Sequence, residues 1–151
     1  MSSKEELISL IEALRADILS FHKLFEKAQF SSYVNIQESY QSIKKKTDFL
    51  KKPLDILQGK LGEPKEEENV NITLFRSSIG AVKAAFISLE KSIDPSKVAS
   101  KTTYLFFDKN SKSYNETQKI NIQNNLKNLT ASLNLFEEFL LPTNNLNQLK
   151  L

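Results

Sequence analysis

The chain has 151 residues, a length typical of one domain, and 40% of them are hydrophobic, which is enough for a core and too many for a wholly disordered protein. The formal charge is a mild +3, and lysine supplies nearly all of the positive charge, because Arg15 and Arg76 are the only arginines. Cysteine is absent, which excludes disulfides, thiolate catalysis and cysteine-ligated metal sites.

The start of the chain is polar and of mixed charge, so we expect no signal peptide. No window approaches the roughly 18 apolar residues that a membrane-spanning helix needs. We therefore predict a cytoplasmic protein without a transmembrane segment.

Helix one is predicted to begin near Ser2 or Ser3, because each has a glutamate three residues on, the spacing of a capping box. Apolar residues then recur at steps of three and four, which is typical of an amphipathic helix. They are Leu7, Ile11, Leu14, Ile18, Phe21, Phe25 and Ala28. The pattern fades at Gln29, and Ser31 and Ser32 offer the next cap.

Helix two shows the same rhythm over its whole length, with a mean repeat of 3.5 residues that suits packing against neighbouring helices. Its inner positions are Tyr33, Ile36, Tyr40, Ile43, Thr47, Leu50, Leu54, Leu57 and Leu61. Pro53 interrupts it, but the pattern keeps its phase on both sides, which predicts one kinked helix. The alternative is a break at Lys51 and Lys52, with Pro53 opening a new helix.

Helix three follows Gly62 and Pro64, and Asn69 or Asn71 is predicted to cap it. Its inner positions are Ile72, Phe75, Ile79, Val82, Phe86, Leu89 and Ile93. Small residues make part of its surface narrow, and we expect that surface to pack tightly inside the bundle rather than to line a ligand channel. These small residues are Gly80, Ala81, Ala84 and Ala85.

A short helix is predicted over residues 95–107, because Asp94 and Pro95 form a cap followed by a first-turn proline. Ser113 and Glu116 have capping-box spacing and should begin the last long helix, which Pro142 ends. The inner positions of that helix are Ile122, Leu126, Leu129, Leu133, Phe136 and Leu140.

Four such helices with short or moderate connections predict an all-α fold, an antiparallel up-down-up-down four-helix bundle with a short extra helix between helices 3 and 4. We assign residues 1–142 to this single domain and residues 143–151 to a flexible C-terminal tail.

Catalytic and metal-binding patterns are missing from the sequence. Di-iron bundles need Glu-x-x-His motifs on facing helices, but His22 is the only histidine and Glu26 follows it. Neither a nucleophile motif nor a phosphate-binding or dinucleotide-binding loop is present. We therefore predict that the protein is not an enzyme and needs neither a metal nor a cofactor.

Arg15 and His22 lie seven residues apart and share a face of helix one. This pair resembles the motif of HEPN-type ribonucleases, which are helical bundles whose arginine and histidine contact the scissile phosphate, usually across a dimer. The resemblance implies RNA cleavage as an alternative function. It covers eight residues, lacks the polar residue usual after the arginine, and lies in the first helix, whereas the family carries it late. The plainer interpretation is a surface arginine and a boundary histidine.

Helix two carries a band of five lysines, Lys44, Lys45, Lys46, Lys51 and Lys52, on its outward positions. Such a band predicts weak, salt-sensitive and sequence-blind contact with nucleic acid. An anionic membrane surface, an acidic partner or a simply solvated face would have the same pattern. The scarcity of arginine argues against sequence-specific recognition of bases.

Four large apolar residues in a row, Tyr104, Leu105, Phe106 and Phe107, cannot all face inward on one helix. They predict either a plug for one end of the bundle or an exposed patch for a partner. Our hypothesis is a non-catalytic bundle that binds another protein, as an adaptor, assembly subunit, immunity factor or inhibitor, through this patch together with Phe49. The alternatives are nucleic-acid binding through the lysine band and an HEPN-like ribonuclease, and self-association is compatible with all three.

Overall fold

The computed structural model describes residues 4–94 and 113–141, and this part of the chain is 82% helical without any strand. Its four helices are α1 (Lys4–Leu24), α2 (Tyr33–Leu61), α3 (Val70–Ile93) and α4 (Glu116–Leu140). The all-α prediction is therefore confirmed. The short helix predicted at residues 95–107, the tail at residues 143–151 and the caps at Ser2 and Ser3 lie outside the described residues.

The inner faces predicted from the apolar pattern form one continuous core. Every inner position predicted for α4 is buried, and so is every one predicted for α2 except Tyr33, which is half-buried. The largest fully buried side chains include Phe75 on α3 and Phe136 on α4, whose rings stack with centroids 5.7 Å apart. Burial of a Phe, Leu or Ile side chain stabilises a fold by about 1.5–3 kcal/mol, so these faces hold the helices together.

Each helix packs mainly against two others: α1 and α3 both contact α2 and α4. Ion pairs reinforce these contacts at the edges of the core. Lys46 Nζ on α2 lies 2.5 Å from Asp17 Oδ2 on α1, and Lys83 on α3 pairs with Asp55 on α2.

Helix α2 runs unbroken through Pro53, so the prediction of one helix is confirmed and the alternative of a break at Lys51 and Lys52 is wrong. The kink at Pro53 stays a prediction. Ser32 caps its start by accepting a hydrogen bond from Asn35 N at 3.3 Å. The apolar contacts of Leu50, Leu54 and Leu57 on both sides of the proline offset the backbone hydrogen bond that it removes.

Helix α1 ends at Leu24, so the expectation that it continues to Ala28 is wrong. The chain turns because the rings of Phe25 and Phe30 pack edge-on against each other and against Phe21, with centroids 5.1–6.2 Å apart. This aromatic cluster packs the ring of Phe25 against the core from a turn instead of from a further turn of helix.

The predicted capping box of Ser113 and Glu116 is also wrong. Asn115 is the cap of α4: its side-chain Oδ1 accepts a 2.8 Å hydrogen bond from Gln118 N, and its own backbone N–H donates a 2.8 Å hydrogen bond to Gln118 Oε1. Ser113 is held in extended backbone by a β-bridge to Ser32, and the next residue, Tyr114, donates its N–H to Ser31 O at 2.8 Å. The helix therefore starts only after these contacts.

Tyr114 joins the end of α3 to the start of α4. Its buried hydroxyl donates to the carbonyl of Ile93, and its ring packs edge-on against Tyr33 at 4.7 Å. Next to it, Lys119 is 6% exposed and its Nζ donates to Ser31 Oγ at 3.0 Å. These contacts bring Ile93 and Tyr114 together, on either side of residues 95–112.

Three of the four small residues of α3 face outward, contrary to the expectation that they pack inside the bundle. Ala85 is buried, but Gly80, Ala81 and Ala84 are exposed, and a Cβ added at Gly80 meets nothing within 4 Å. The larger residues of the helix occupy its inner side, which leaves the small ones on the opposite side. Between Val70 and Ser88, the exposed positions of α3 carry no charged side chain.

Within the described residues, α3 is also the helix that is long and apolar enough to cross a membrane, and 33% of its most apolar window is buried. Arg76 and Lys83 interrupt this helix, so it contains no run of about 18 consecutive apolar residues. Core helices of water-soluble proteins pass the same test. The absence of a transmembrane segment stays a prediction.

The connection between α2 and α3 is fastened by Arg76. Its guanidinium donates two 2.5 Å hydrogen bonds to Glu68 and one 3.2 Å hydrogen bond to each of the carbonyls of Leu61 and Gly62. Leu61 is the last residue of α2 and Gly62 follows it. Carbonyls at the end of a helix accept no hydrogen bond from within the helix, so Arg76 supplies the missing donors. Hydrogen bonds from Arg76 lower the pKa of Glu68 to about 2.

Candidate interaction surface

An apolar ridge runs along the outer face of α2 and consists of Phe49, Pro53 and Ile56. These residues follow one another at steps of four and three, so they lie on one side of the helix, about 100° around its axis from the buried row of Leu50, Leu54 and Leu57. Phe49 is 60% exposed and Ile56 is 37% exposed, while Pro53 is half-buried. We call these three residues the α2 ridge.

Phe49 is the exposed aromatic side chain of residues 4–94 and 113–141; each of the other Phe and Tyr residues in those ranges is buried or half-buried. Other exposed large apolar residues, such as Leu19 on α1 and Leu135 on α4, are aliphatic. Single exposed aliphatic side chains are common on protein surfaces, but aromatic side chains are enriched at interfaces.

The lysine band divides into two groups in the structure. Three lysines face carboxylates: Lys46 and Asp17 are 2.5 Å apart, Lys44 and Glu90 are 3.9 Å apart, and Lys51 and Asp48 are 3.1 Å apart. Lys44 and Lys46 thus link α2 to its two neighbours rather than projecting into solvent alone.

The other two, Lys45 and Lys52, contact no carboxylate in the described part of the chain. Both are exposed, and they lie four residues before and three residues after Phe49. The positive charge of the band that lacks a carboxylate partner therefore lies along one side of the α2 ridge.

The pair of Lys46 and Asp17 is stabilised by hydrogen bonds as well as by opposite charge. Partial burial raises the pKa of Asp17, but hydrogen bonds from Lys46 and from Ser42, each 2.5 Å long, outweigh it, so the pKa lies below its ordinary value. A lysine used in this way is not available to a partner without breaking the contact between α1 and α2.

Pro53 gives the ridge a polar feature as well. A proline has no N–H to donate, so the carbonyl four residues earlier, that of Phe49, lacks its helical hydrogen-bond partner. The ridge therefore combines an aromatic ring, an acceptor and two flanking cations.

The other predicted site residues fall in different places. Tyr104, Leu105, Phe106 and Phe107 lie outside the described residues. They are therefore not part of the surface described above.

Arg15, one half of the HEPN-like pair, joins α1 to α4. Its Nη1 donates to Asn134 Oδ1 at 2.8 Å, and its Nη2 lies 2.8 Å from Glu137 Oε2. That buried oxygen accepts no hydrogen bond of good geometry, so the contact is an ion pair without full hydrogen bonding. His22 is half-buried in the last turn of α1.

A small cleft of about 60 Å³ lies between α2 and the end of α3, lined in part by Tyr40, Lys44, Glu90 and Asp94. Burial, with a contribution from Glu90 and Asp48, raises the pKa of Tyr40, which keeps its phenol neutral. Over residues 4–94 and 113–141, no three His, Asp or Glu side chains are grouped so as to hold a metal ion.

Comparisons of this chain with protein-family models, with curated proteins and with solved structures find no match.

Sequence reasoning identified Phe49 and the lysines but missed Ile56 and Pro53 as parts of the same surface. The signal was present, because Ile56 follows Phe49 by seven residues, two turns of helix. Which lysines are paired could not be predicted, because Asp17 and Glu90 lie on other helices.

Proposed function

We propose that this chain is an antiparallel up-down-up-down four-helix bundle without catalytic machinery, and that it binds another protein through the α2 ridge. The observation that carries this proposal is the 60% exposure of Phe49 in the middle of an apolar ridge on a long helix. The short helix predicted at residues 95–107 stays part of the proposal.

The direction of the helices is supported by pairs of contacting residues whose numbers run in opposite senses. Between α1 and α2, Asp17 pairs with Lys46, and Phe21 packs on Tyr40. The other helix pairs follow the same rule, with Asp55–Lys83 and Leu61–Arg76 between α2 and α3, and Phe75–Phe136 and Ile93–Tyr114 between α3 and α4.

The ring of Phe49 is the side chain of the α2 ridge that would contribute most to the free energy of binding. Moving an exposed phenylalanine out of water is worth about 1.5–3 kcal/mol, and truncation of such an anchor typically costs a complex about 2 kcal/mol or more. The spacing of Phe49, Pro53 and Ile56 matches the anchors at i, i+4 and i+7 by which helices engage partners.

Affinity capture from native lysate, with nuclease treatment, tests the proposal with three forms of the full chain. Phe49→Asp places a charge on the ridge, and Leu135→Asp does the same at a position 47% exposed on α4. We expect a protein retained by the wild type and by Leu135→Asp to be lost, by about tenfold or more, from Phe49→Asp. Equal retention by Phe49→Asp would contradict the role of the ridge, provided that circular dichroism shows both variants folded.

We do not propose nucleic-acid binding as a second function, because Lys44, Lys46 and Lys51 already face carboxylates. For the same reason we do not propose RNA cleavage, since the guanidinium of Arg15 is engaged by Asn134 and Glu137.

A further inference from the structure

We propose that the segment bound at the α2 ridge is an acidic amphipathic helix, one that presents apolar side chains to Phe49 and Ile56 and carboxylates to Lys45 and Lys52. This inference rests on the proposed function and adds the chemistry of the partner to it.

The charge of the surface is the first argument. Asp48 and Asp55, the acidic residues next to the ridge, are paired with Lys51 and Lys83. Lys45 and Lys52 have no such partner among the described residues, so the rim of the ridge has a net positive charge. Electrostatic complementarity therefore favours a negatively charged partner.

The spacing is the second argument. Phe49 and Ile56 lie seven residues apart, as do Lys45 and Lys52, and each separation corresponds to about 10.5 Å along the helix axis. The apolar and basic positions thus repeat with the period of two helical turns. A partner helix lying along α2 at a small crossing angle would meet both sets with its own apolar face and flanking acids.

The form of the partner follows from what this surface lacks. Addition of a peptide strand requires an exposed sheet edge, and the described residues contain no strand. Recognition of a proline-rich peptide requires a groove lined by several aromatic rings, whereas Phe49 is the single aromatic residue of the α2 ridge. Helix-to-helix packing needs neither.

The same surface fits a polynucleotide less well. Lys45 and Lys52, the two lysines without carboxylate partners, have the ring of Phe49 between them along the helix. The ridge also contains no arginine, the residue best suited to forked contacts with phosphate. A phosphate backbone would gain from Lys45 and Lys52 but not from Ile56, whereas an amphipathic helix would gain from all of them.

The test uses the full chain as bait for a phage library of random peptides of about 16 residues, long enough for four helical turns. Peptides are kept if they bind the wild type and not Phe49→Asp. We expect the kept peptides to carry Asp or Glu three or four positions from their aliphatic or aromatic residues.

Synthetic copies of these peptides are then titrated by fluorescence anisotropy. We expect Lys45→Glu with Lys52→Glu to weaken binding by about tenfold or more, and peptides with lysine in place of their acids to regain affinity for that variant. The control, Lys23→Glu with Lys127→Glu, changes the net charge equally at exposed positions on α1 and α4 and should leave binding unchanged.

The outcomes separate this inference from the proposed function. Neutral or basic peptides that still depend on Phe49 would overturn the acidic partner and leave the ridge as a binding surface. Failure to enrich any peptide that depends on Phe49 would count against both. A 30-nucleotide single strand whose binding needs Lys45 and Lys52 but not Phe49 would replace the acidic helix with nucleic acid.

Discussion

At the scale of single residues, Arg76 shows how one side chain can organise a connection. Gly62 has a φ of 64°, a backbone conformation that glycine adopts readily, and it ends α2. Arg76 binds the carbonyls on both sides of this turn, and it also binds Glu68, which lies just before the cap of α3. Glu68 and Arg76 are 9% and 17% exposed, so the pair is largely shielded from water although it lies in a polar connection.

We predict that this pair makes the protein sensitive to acid. The pKa of Glu68 is about 2 in the folded chain against an ordinary value of 4.5, so its stabilising contribution is present above pH 4.5 and is lost as the pH falls toward 2. Glu68→Gln should therefore lose less stability over this range than the wild type does. Urea unfolding at a series of pH values measures it.

The control for this prediction is Glu67→Gln, at an exposed neighbouring position. It should keep the acid dependence of the wild type. An identical acid dependence in Glu68→Gln and the wild type would show that the ion pair is not its source.

At the scale of elements, helix ends are where the structure departs from the sequence pattern. The four inner faces could be predicted because they depend only on the spacing of apolar residues within one helix. The end of α1 depends on the ring of Phe30, and the start of α4 depends on backbone contacts between Ser31, Ser32 and the residues before Asn115. Such contacts join parts of the chain that local spacing does not relate.

Asn115 supplies a direct test of where α4 begins. We predict that Asn115→Ala lowers the free energy of unfolding by about 0.5–2 kcal/mol, because it removes the hydrogen bond that the Asn115 side chain accepts from the backbone N–H of Gln118. Ser113→Ala should cost less, since Ser113 does not cap the helix. Chemical denaturation compares the two, and a larger loss for Ser113→Ala would place the cap at the position that the sequence pattern favours.

Pro53 supplies a test within α2. We predict that Pro53→Ala raises the free energy of unfolding by about 1–3 kcal/mol, because alanine restores the hydrogen bond to the carbonyl of Phe49. Pro64→Ala, in the connection after α2, should instead lower it by about 0.4–1 kcal/mol through greater freedom of the unfolded chain. Differential scanning calorimetry distinguishes them, and no gain from Pro53→Ala would mean that the helix is already adapted to the proline.

At the scale of the whole molecule, the core was predictable and the polar contacts between helices were not. The spacing of apolar residues identifies an inner face, such as that of Leu126 and Leu129, without any knowledge of the neighbouring helices. The pairing of Asp17 with Lys46 depends on which helices are adjacent and on how far each is shifted along its axis relative to the other. The same division holds for the candidate site. The outward position of Phe49 follows from the apolar spacing of α2, whereas the charge around it depends on contacts with other helices.

Two buried phenols are expected to make the stability of the whole fold depend on alkaline pH. Burial raises the pKa of Tyr40 and of Tyr114 above the ordinary value of 10.0. Their stabilising contribution is complete below pH 10 and is lost as the pH rises through the higher folded values. We predict that stability falls above pH 10 and that Tyr40→Phe falls less steeply than the wild type, as followed by circular dichroism in urea.

An alkaline dependence in Tyr40→Phe as steep as that of the wild type would show that the phenol of Tyr40 is not its source.

The hydrogen bond from Tyr114 to the carbonyl of Ile93 has a consequence for protein engineering. It places the exit from α3 beside the entry to α4, so any chain joining them leaves and returns at nearly the same point. The entropy of closing such a connection grows slowly, by about 0.6 kcal/mol for each doubling of its length. A reporter domain whose own termini are close together could therefore be inserted between these two residues without pulling the four helices apart.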